Sequence, residues 1–235
     1  MNNQLNPVFQ LLLAQLSHSV GEYLESSESN IDSIISLIIN NNYEELEKSL
    51  NVHTNLVKST NYYIDLPVNK RKYLSYNNLS LLHVAAFYDS LECFYILHSI
   101  FHLPLDILNS NSEHPIQFSC FSNSLEIATY ILLNKPDEAK VVLPPERSLY
   151  MLCVQNKYCD HNLIKLLLAY NVYYPLHFSD NPLRHLVIRK DLKSIIAINE
   201  AIDKFHVDQE WTAIEIAISS HLLDFVPQLI EAGMN

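Results

Sequence analysis

Apolar positions along this chain fall into short runs that come in pairs, the two runs split by a break of about three residues. The plainest pair joins Ser80-Leu81-Leu82-His83-Val84-Ala85-Ala86 to Ser90-Leu91-Glu92-Cys93-Phe94-Tyr95-Ile96-Leu97 across Phe87-Tyr88-Asp89. The pattern returns 34 residues later as His114-Pro115-Ile116-Gln117-Phe118-Ser119, followed by Asn123-Ser124-Leu125-Glu126-Ile127. It recurs from Ser148, from Asn181 and from Thr212, and a weaker copy runs from Ser33 to Ile38 and from Tyr43 to Glu47. One copy would mean little, because short apolar helical patterns are common. Near-constant phase along the chain marks a repeat architecture.

Runs of this length are marginal as isolated helices, which need about 12–15 residues to persist in water. They are predicted to be helical because each pair can bury its apolar face on the next pair. Ser33, Ser80, Ser148, Asn181 and Thr212 stand where an N-cap side chain can satisfy an orphan backbone N–H. Pro115 and Pro182 fall just inside a helix start, where the missing N–H would have had no partner anyway. Ala85, Ser119, Cys153 and Ala217 are small residues at one register that lets helices approach, while Ile38 and Leu186 break that rule and predict less regular packing there. Units are expected near residues 31–50, 78–100, 112–135, 146–171, 179–200 and 210–235, with residues 51–77 as a long loop-forming insertion. Residues 1–30 read as an N-terminal capping helix and acidic linker, because Phe9, Leu12, Leu13, Leu16, Val20, Tyr23 and Leu24 share one helical face.

The run from Ser80 to Ala85 resembles the T-P-L-H-x-A signature of the ankyrin repeat. Leu82, His83 and Ala85 match it, and Ser80 and Leu81 replace its Thr and Pro. The resemblance covers roughly residues 31–235. It implies an all-α fold, an ankyrin-type helix–turn–helix solenoid of about six repeats, in which His83 ties the hairpin backbone between units. The chain departs from the family in holding only two glycines, Gly21 and Gly233. Asn42, Asp89, Asn123, Lys157, Lys190 and His221 stand at the turns between helices. Asn and Asp tolerate the left-handed region better than Lys or His, so the later turns are expected to be strained or rearranged.

The resemblance also implies which residues face a partner: those just before the Thr position and the last of each first helix. In this chain they are Tyr76, Asn77, Leu79, Phe87 and Tyr88, then Asn111, Glu113, Phe121 and Ser122, then Arg147, Gln155 and Asn156, then Phe178, Asp180, Ile188 and Arg189, and finally Trp211, Ser219 and Ser220. Tyr76, Leu79, Phe87, Tyr88 and Phe121 would form an aromatic-rich patch, with Lys70, Arg71 and Lys72 of the insertion as a basic rim. The function implied is non-enzymatic protein–protein interaction by a monomer. The alternative is the recognition domain of a larger enzyme or secreted effector, acting in a host cytosol, whose catalytic part lies beyond residue 235.

Composition narrows this further. Apolar residues make up 49 % of the 235 residues, ample for a core, and the net charge of -11 opposes binding to nucleic acid or to anionic membranes. The acids are concentrated at the ends. Residues 1–50 hold seven against Lys48, and residues 200–235 hold seven against Lys204. Cys93, Cys120, Cys153 and Cys159 form no CxxC pair, and most lie in apolar helical context, which suits a reducing, cytoplasmic compartment.

Motifs for catalysis or cofactors are missing: the sequence holds no phosphate loop, HExxH, GxSxG or EF-hand pattern. His98 and His102 have a metal-compatible spacing but no third ligand with suggestive spacing, so no metal and no cofactor are expected. Cys159, beside Asp160 and His161, is the most plausible reactive thiol, yet nothing identifies an oxyanion site or an orienting partner for it. Cys159→Ser is expected to leave the melting temperature and any partner affinity unchanged; loss of a reproducible activity in that variant would restore an enzymatic reading.

Overall fold

The computed structural model describes residues 30–64, 74–141, 148–155, 160–172, 181–200 and 211–234 in full, and residues 201–205 by their backbone. The fold is all-α. Among the described residues there is no strand, only an isolated antiparallel bridge between Tyr62 and Leu79. The N-terminal helix expected before residue 30 and the turn residue Lys157 lie outside the described residues.

Six helix pairs follow one another among the described residues. They are α1 (residues 30–39) with α2 (Tyr43–Val52), and, after a short α3 (Thr54–Val57), α4 (Leu81–Phe87) with α5 (Leu91–Ser99). Then come α6 (Pro115–Ser122) with α7 (Leu125–Asn134), and α8 (Leu149–Gln155) with α9 (His161–Ala169). The last two are α10 (Pro182–Arg189) with α11 (Leu192–Phe205), and α12 (Ala213–Ser219) with α13 (Val226–Glu231). First helices pack on first helices, α4 on α6, α6 on α8, α8 on α10 and α10 on α12. Second helices pack likewise, α2 on α5, α5 on α7, α7 on α9 and α9 on α11. The pairs therefore lie side by side in a row.

Burial follows the repeat. Ala85, Ser119, Cys153 and Ala217 are completely buried, and so are the bulkier Ile38 and Leu186, whose extra volume is accommodated within the row. Asn181 accepts the Leu183 N–H at 2.9 Å, Ser148 Oγ accepts the Met151 N–H at 3.3 Å, and Thr212 Oγ1 accepts the Glu215 N–H at 3.2 Å. These are the expected N-caps. Ser33 is not one of them. It lies inside the helical stretch 30–39, which begins upstream of it.

The turns show why glycine is dispensable. Asn41, Asp89, Asn123, Lys190 and His221 all have positive φ, between +49° and +72°, so the Lys and His turns keep the geometry of the Asn turns instead of rearranging. In the first pair the left-handed residue is Asn41, while Asn42 N-caps α2 by accepting the Glu45 N–H. Each left-handed side chain but the last reaches forward to the start of the following second helix. Asn41 Oδ1 accepts the Cys93 N–H, and its amide donates to Glu92. The Asp89 carboxylate lies beside Ser124, Asn123 Oδ1 accepts the Asp160 N–H at 2.7 Å, and Lys190 Nζ donates to Asp224. Glycine would relieve the backbone but delete the bond.

The insertion is more ordered at its ends than a loop. Helix α2 runs on to Val52, α3 follows, and Leu56, Val57, Tyr62, Ile64, Leu74 and Tyr76 are buried. Tyr62 and Leu79 exchange backbone bonds of 3.2 and 2.9 Å, and the Ile64 N–H donates to the Tyr76 carbonyl at 2.8 Å. Residues 51–64 and 74–77 thus pack back against the row.

Two glycine substitutions at this register should have opposite signs. A left-handed L-residue costs about 1–2 kcal/mol, against about 0.5–1 kcal/mol for the extra backbone entropy of glycine. His221→Gly, whose side chain makes no described hydrogen bond, should therefore raise the urea-unfolding free energy by about 0.5–1 kcal/mol. Asn123→Gly should lower it, because the Asp160 N–H loses its acceptor. A gain in both variants would show that the forward hydrogen bond contributes nothing.

Candidate partner-binding surface

Between the second and third pairs lies a buried polar network. Ser80 precedes α4, and its N–H donates to His83 Nδ1 at 3.2 Å, with the Ser80 hydroxyl 2.6 Å from the same nitrogen. The far nitrogen, Nε2, then carries the proton and donates to the Glu113 carbonyl at 2.9 Å. His83 thus joins its own helix start to the backbone that leads into α6. Burial pushes the His83 imidazolium down to about 4, opposed by the Glu113 carbonyl and assisted by nearby His114. The imidazole is neutral at neutral pH, as the bond from the Ser80 N–H to Nδ1 requires.

The Glu113 side chain extends the network. Its two carboxylate oxygens accept the Ser75 N–H at 3.0 and 3.1 Å, and Asn109 Nδ2 donates to it at 2.7 Å. Asn109 Oδ1 in turn accepts the Asn111 and Glu113 N–H groups, each at 2.9 Å. Glu113 therefore clamps the returning end of the insertion to the loop before α6.

Aromatic rings pack over this network. Tyr76 meets Phe87, Phe118 and Phe121 edge-on, with ring centroids 5.7, 6.4 and 6.1 Å away. Phe87 stacks on Phe121 at 6.1 Å, and Tyr88 meets Phe87 edge-on at 5.2 Å. Burial, with the Glu113 carboxylate adding to it, pushes the Tyr76 phenol well above its ordinary range.

The structure thus brings together most of the expected patch but corrects three of the expected contact residues. Tyr76, Leu79 and Glu113 are buried, not surface contacts. Tyr76 is the centre of the aromatic cluster, Leu79 is held in the bridge to Tyr62, and the Glu113 carboxylate holds Ser75. Phe87, Tyr88 and Phe121 are half-buried, and Asn77 is exposed. Arg189 is half-buried and donates through Nη1 to the Val154 carbonyl, and Trp211 is half-buried against the core. Lys70, Arg71, Lys72 and Arg147, with Asn156, Phe178 and Asp180, lie outside the described residues.

Counting back from each left-handed turn residue aligns the first-helix ends. Two positions before it stand Ile39, Phe87, Phe121, Ile188 and Ser219. Ile39 is 47 % and Ile188 46 % exposed, and the two phenylalanines are half-buried between them. The sequence reading named no surface position in the first pair and so did not include Ile39.

His98 Nδ1 donates to the Leu103 carbonyl at 2.9 Å, closing the end of its helix. No cluster of three or more His, Cys, Asp or Glu among the described residues could hold a metal ion. Cys93, Cys120 and Cys153 are buried free thiols, and burial pushes Cys93 up to about 12. Cys159 lies outside the described residues. No helix among them is long and apolar enough to cross a membrane.

Two measurements test the network. The folded pKa of His83 is depressed, so its contribution is complete above pH ~6.5, falls as pH drops toward 4 and is flat below, a change on the order of 3 kcal/mol. Gln117 already fills the same role in α6, its Oε1 accepting the His114 N–H at 2.8 Å. His83→Gln should therefore fold, and the stability advantage of the wild type over it should shrink or reverse between pH 7 and pH 4. A constant difference across that range would mean that His83 is not the titrating group. Glu113→Ala should cost about 2–3 kcal/mol in urea unfolding by stripping the Ser75 N–H and the Asn109 amide of their acceptor. No protein-family model matches this chain, and comparison with curated proteins finds no match.

Proposed function

We propose that this chain is a non-enzymatic protein-interaction module of the ankyrin kind, binding a protein partner across the ends of its first helices. The observation that carries this reading is the apolar residue at one register in four of the six pairs, Ile39, Phe87, Phe121 and Ile188, with Ile39 47 % and Ile188 46 % exposed and the two phenylalanines half-buried. A row of repeats offers an extended surface on which equivalent positions line up, and aromatic side chains are the commonest anchors at interfaces. Tyr88 and Asn77 flank the row in the second pair, with Arg189 beside Ile188 in the fifth. The His83 bond to the Glu113 carbonyl supports the ankyrin reading, being the role that the family resemblance implies for it. Buried free thiols at Cys93, Cys120 and Cys153 suit a reducing compartment.

Photo-crosslinking amino acids placed at Tyr88 and at Ile188 should capture the same cellular protein, whereas one at Tyr95, exposed on the second helices, should not. Once that protein is purified, Tyr88→Ala should weaken its binding by about 1–3 kcal/mol in calorimetry, with an unchanged melting temperature. Capture only from Tyr95, or full affinity in Tyr88→Ala and Ile188→Ser together, would place the interface elsewhere.

A further inference from the structure

The second helices α5, α7, α9 and α11 pack in one layer, and the outer face of that layer has an apolar middle. Leu133 of α7 is 65 % exposed and Tyr95 of α5 53 %. Tyr130, one turn before Leu133, meets Tyr95 edge-on with ring centroids 5.9 Å apart, so the apolar surface runs on from one helix to the next. On α9 Leu166 is half-buried and Ala169 exposed, and on α11 Ile196 is half-buried. Charge is sorted along the same face. Glu92 and Glu126, at the second position of α5 and α7, are exposed. Lys165, at the fifth position of α9, and Lys193, at the second of α11, are exposed too. Glu126, Lys165 and Lys193 form no ion pair among the described residues. Glu92 accepts from the neutral Asn41 amide, which leaves its charge uncompensated. The pairs Lys135–Asp106 and Lys140–Asp137 add no net charge.

We infer that this face binds a second copy of the chain, in place of the monomer that the family resemblance implies. The pattern is self-complementary under one operation. A two-fold axis in the plane of the face, parallel to the helices and between α7 and α9, sets α7 against α9 and α5 against α11 of the other copy. Helix direction is kept, so equal positions along the helices meet. Glu126 then faces Lys165 and Glu92 faces Lys193, while Leu133 meets Ala169, Tyr130 meets Leu166 and Tyr95 meets Ile196. Each contact occurs twice, as in any isologous interface. Glu200, a further exposed charge on α11, falls opposite Ser99. Acids on one half of the face and lysines on the other are thus both answered, each by the opposite half of an identical surface. Four helices about 14 Å long and about 9 Å apart present on the order of 500 Å². That is below the roughly 800 Å² per partner of a standard interface, so the dimer is reversible and grows with concentration. The first-helix row lies on the other helix of each pair, and the inference does not depend on that row binding anything.

Sedimentation equilibrium of the full chain, at up to roughly 500 µM, should show a monomer–dimer equilibrium. Leu133→Ser, present twice in the dimer, should weaken association at least about tenfold with the circular dichroism unchanged. Lys165→Glu with Lys193→Glu makes all four facing charges acidic, and Glu92→Lys with Glu126→Lys makes all four basic. Each double variant alone should be monomeric. An equimolar mixture of the two should dimerise again, because every facing pair is then opposite in sign. Tyr88→Ala with Ile188→Ser should leave the dimer intact, which separates this face from the proposed first-helix surface. If loss of the Asn41 bond at Glu92 unfolds the second double variant, Glu126→Lys alone mixed with Lys165→Glu alone gives the same test. A monomeric wild type, or a dimer that survives the double variants, would overturn the proposal. So would a mixture that stays monomeric while both of its members keep the wild-type circular dichroism.

Discussion

Helix pairs this short cannot end in water without cost, so each borrows hydrogen bonds from the next, and the rest of the structure depends on that borrowing. Buried carbonyls near the end of a first helix find donors in a following unit. Ser90 Oγ donates to the Ile38 carbonyl, Ser124 Oγ to the Ala86 carbonyl and Arg189 to the Val154 carbonyl. In the other direction, Asn41 and Asn123 supply acceptors to the Cys93 and Asp160 N–H groups. Helix termini always leave backbone groups unpaired. Here the neighbouring unit supplies many of the partners, which couples secondary structure to stacking.

This coupling accounts for the scarcity of glycine. A left-handed turn residue without a Cβ would relax the backbone, yet Asn41, Asp89, Asn123 and Lys190 use their side chains to reach the next second helix. The energy of one backbone conformation is set against a charge-assisted or amide hydrogen bond of similar size. Where the bond exists, the chain tolerates the strain. At His221 no described side-chain bond offsets it.

Between the second and third pairs the same economy takes a polar form. His83, Glu113, Asn109 and Ser75 satisfy one another in the interior, so the insertion can leave the row after α2 and return before α4 without stranding its backbone. A fully satisfied buried network is specific because each half-made version of it is expensive. Its presence also draws Tyr76 inward, beneath Phe87 and Phe121, and so decides how much of the aromatic cluster reaches the surface.

The all-helical class and the pairing of short helices were legible in the chain itself. Apolar spacing, N-cap residues and the phase of the repeat are local properties, and local properties survive folding when every unit has the same neighbours. Exposure was not legible. Tyr76, Leu79 and Glu113 occupy positions that the resemblance assigns to a surface, and all three are buried because the returning insertion covers them through contacts distant in sequence. Ile218, by contrast, reads like Ala86 or Val187 yet is 51 % exposed, whereas both of those are fully buried. The periodic pattern determined which face of each helix turns inward; only the tertiary structure decided which of those faces found a neighbour, since covering a face takes a second surface that the pattern of the first does not encode.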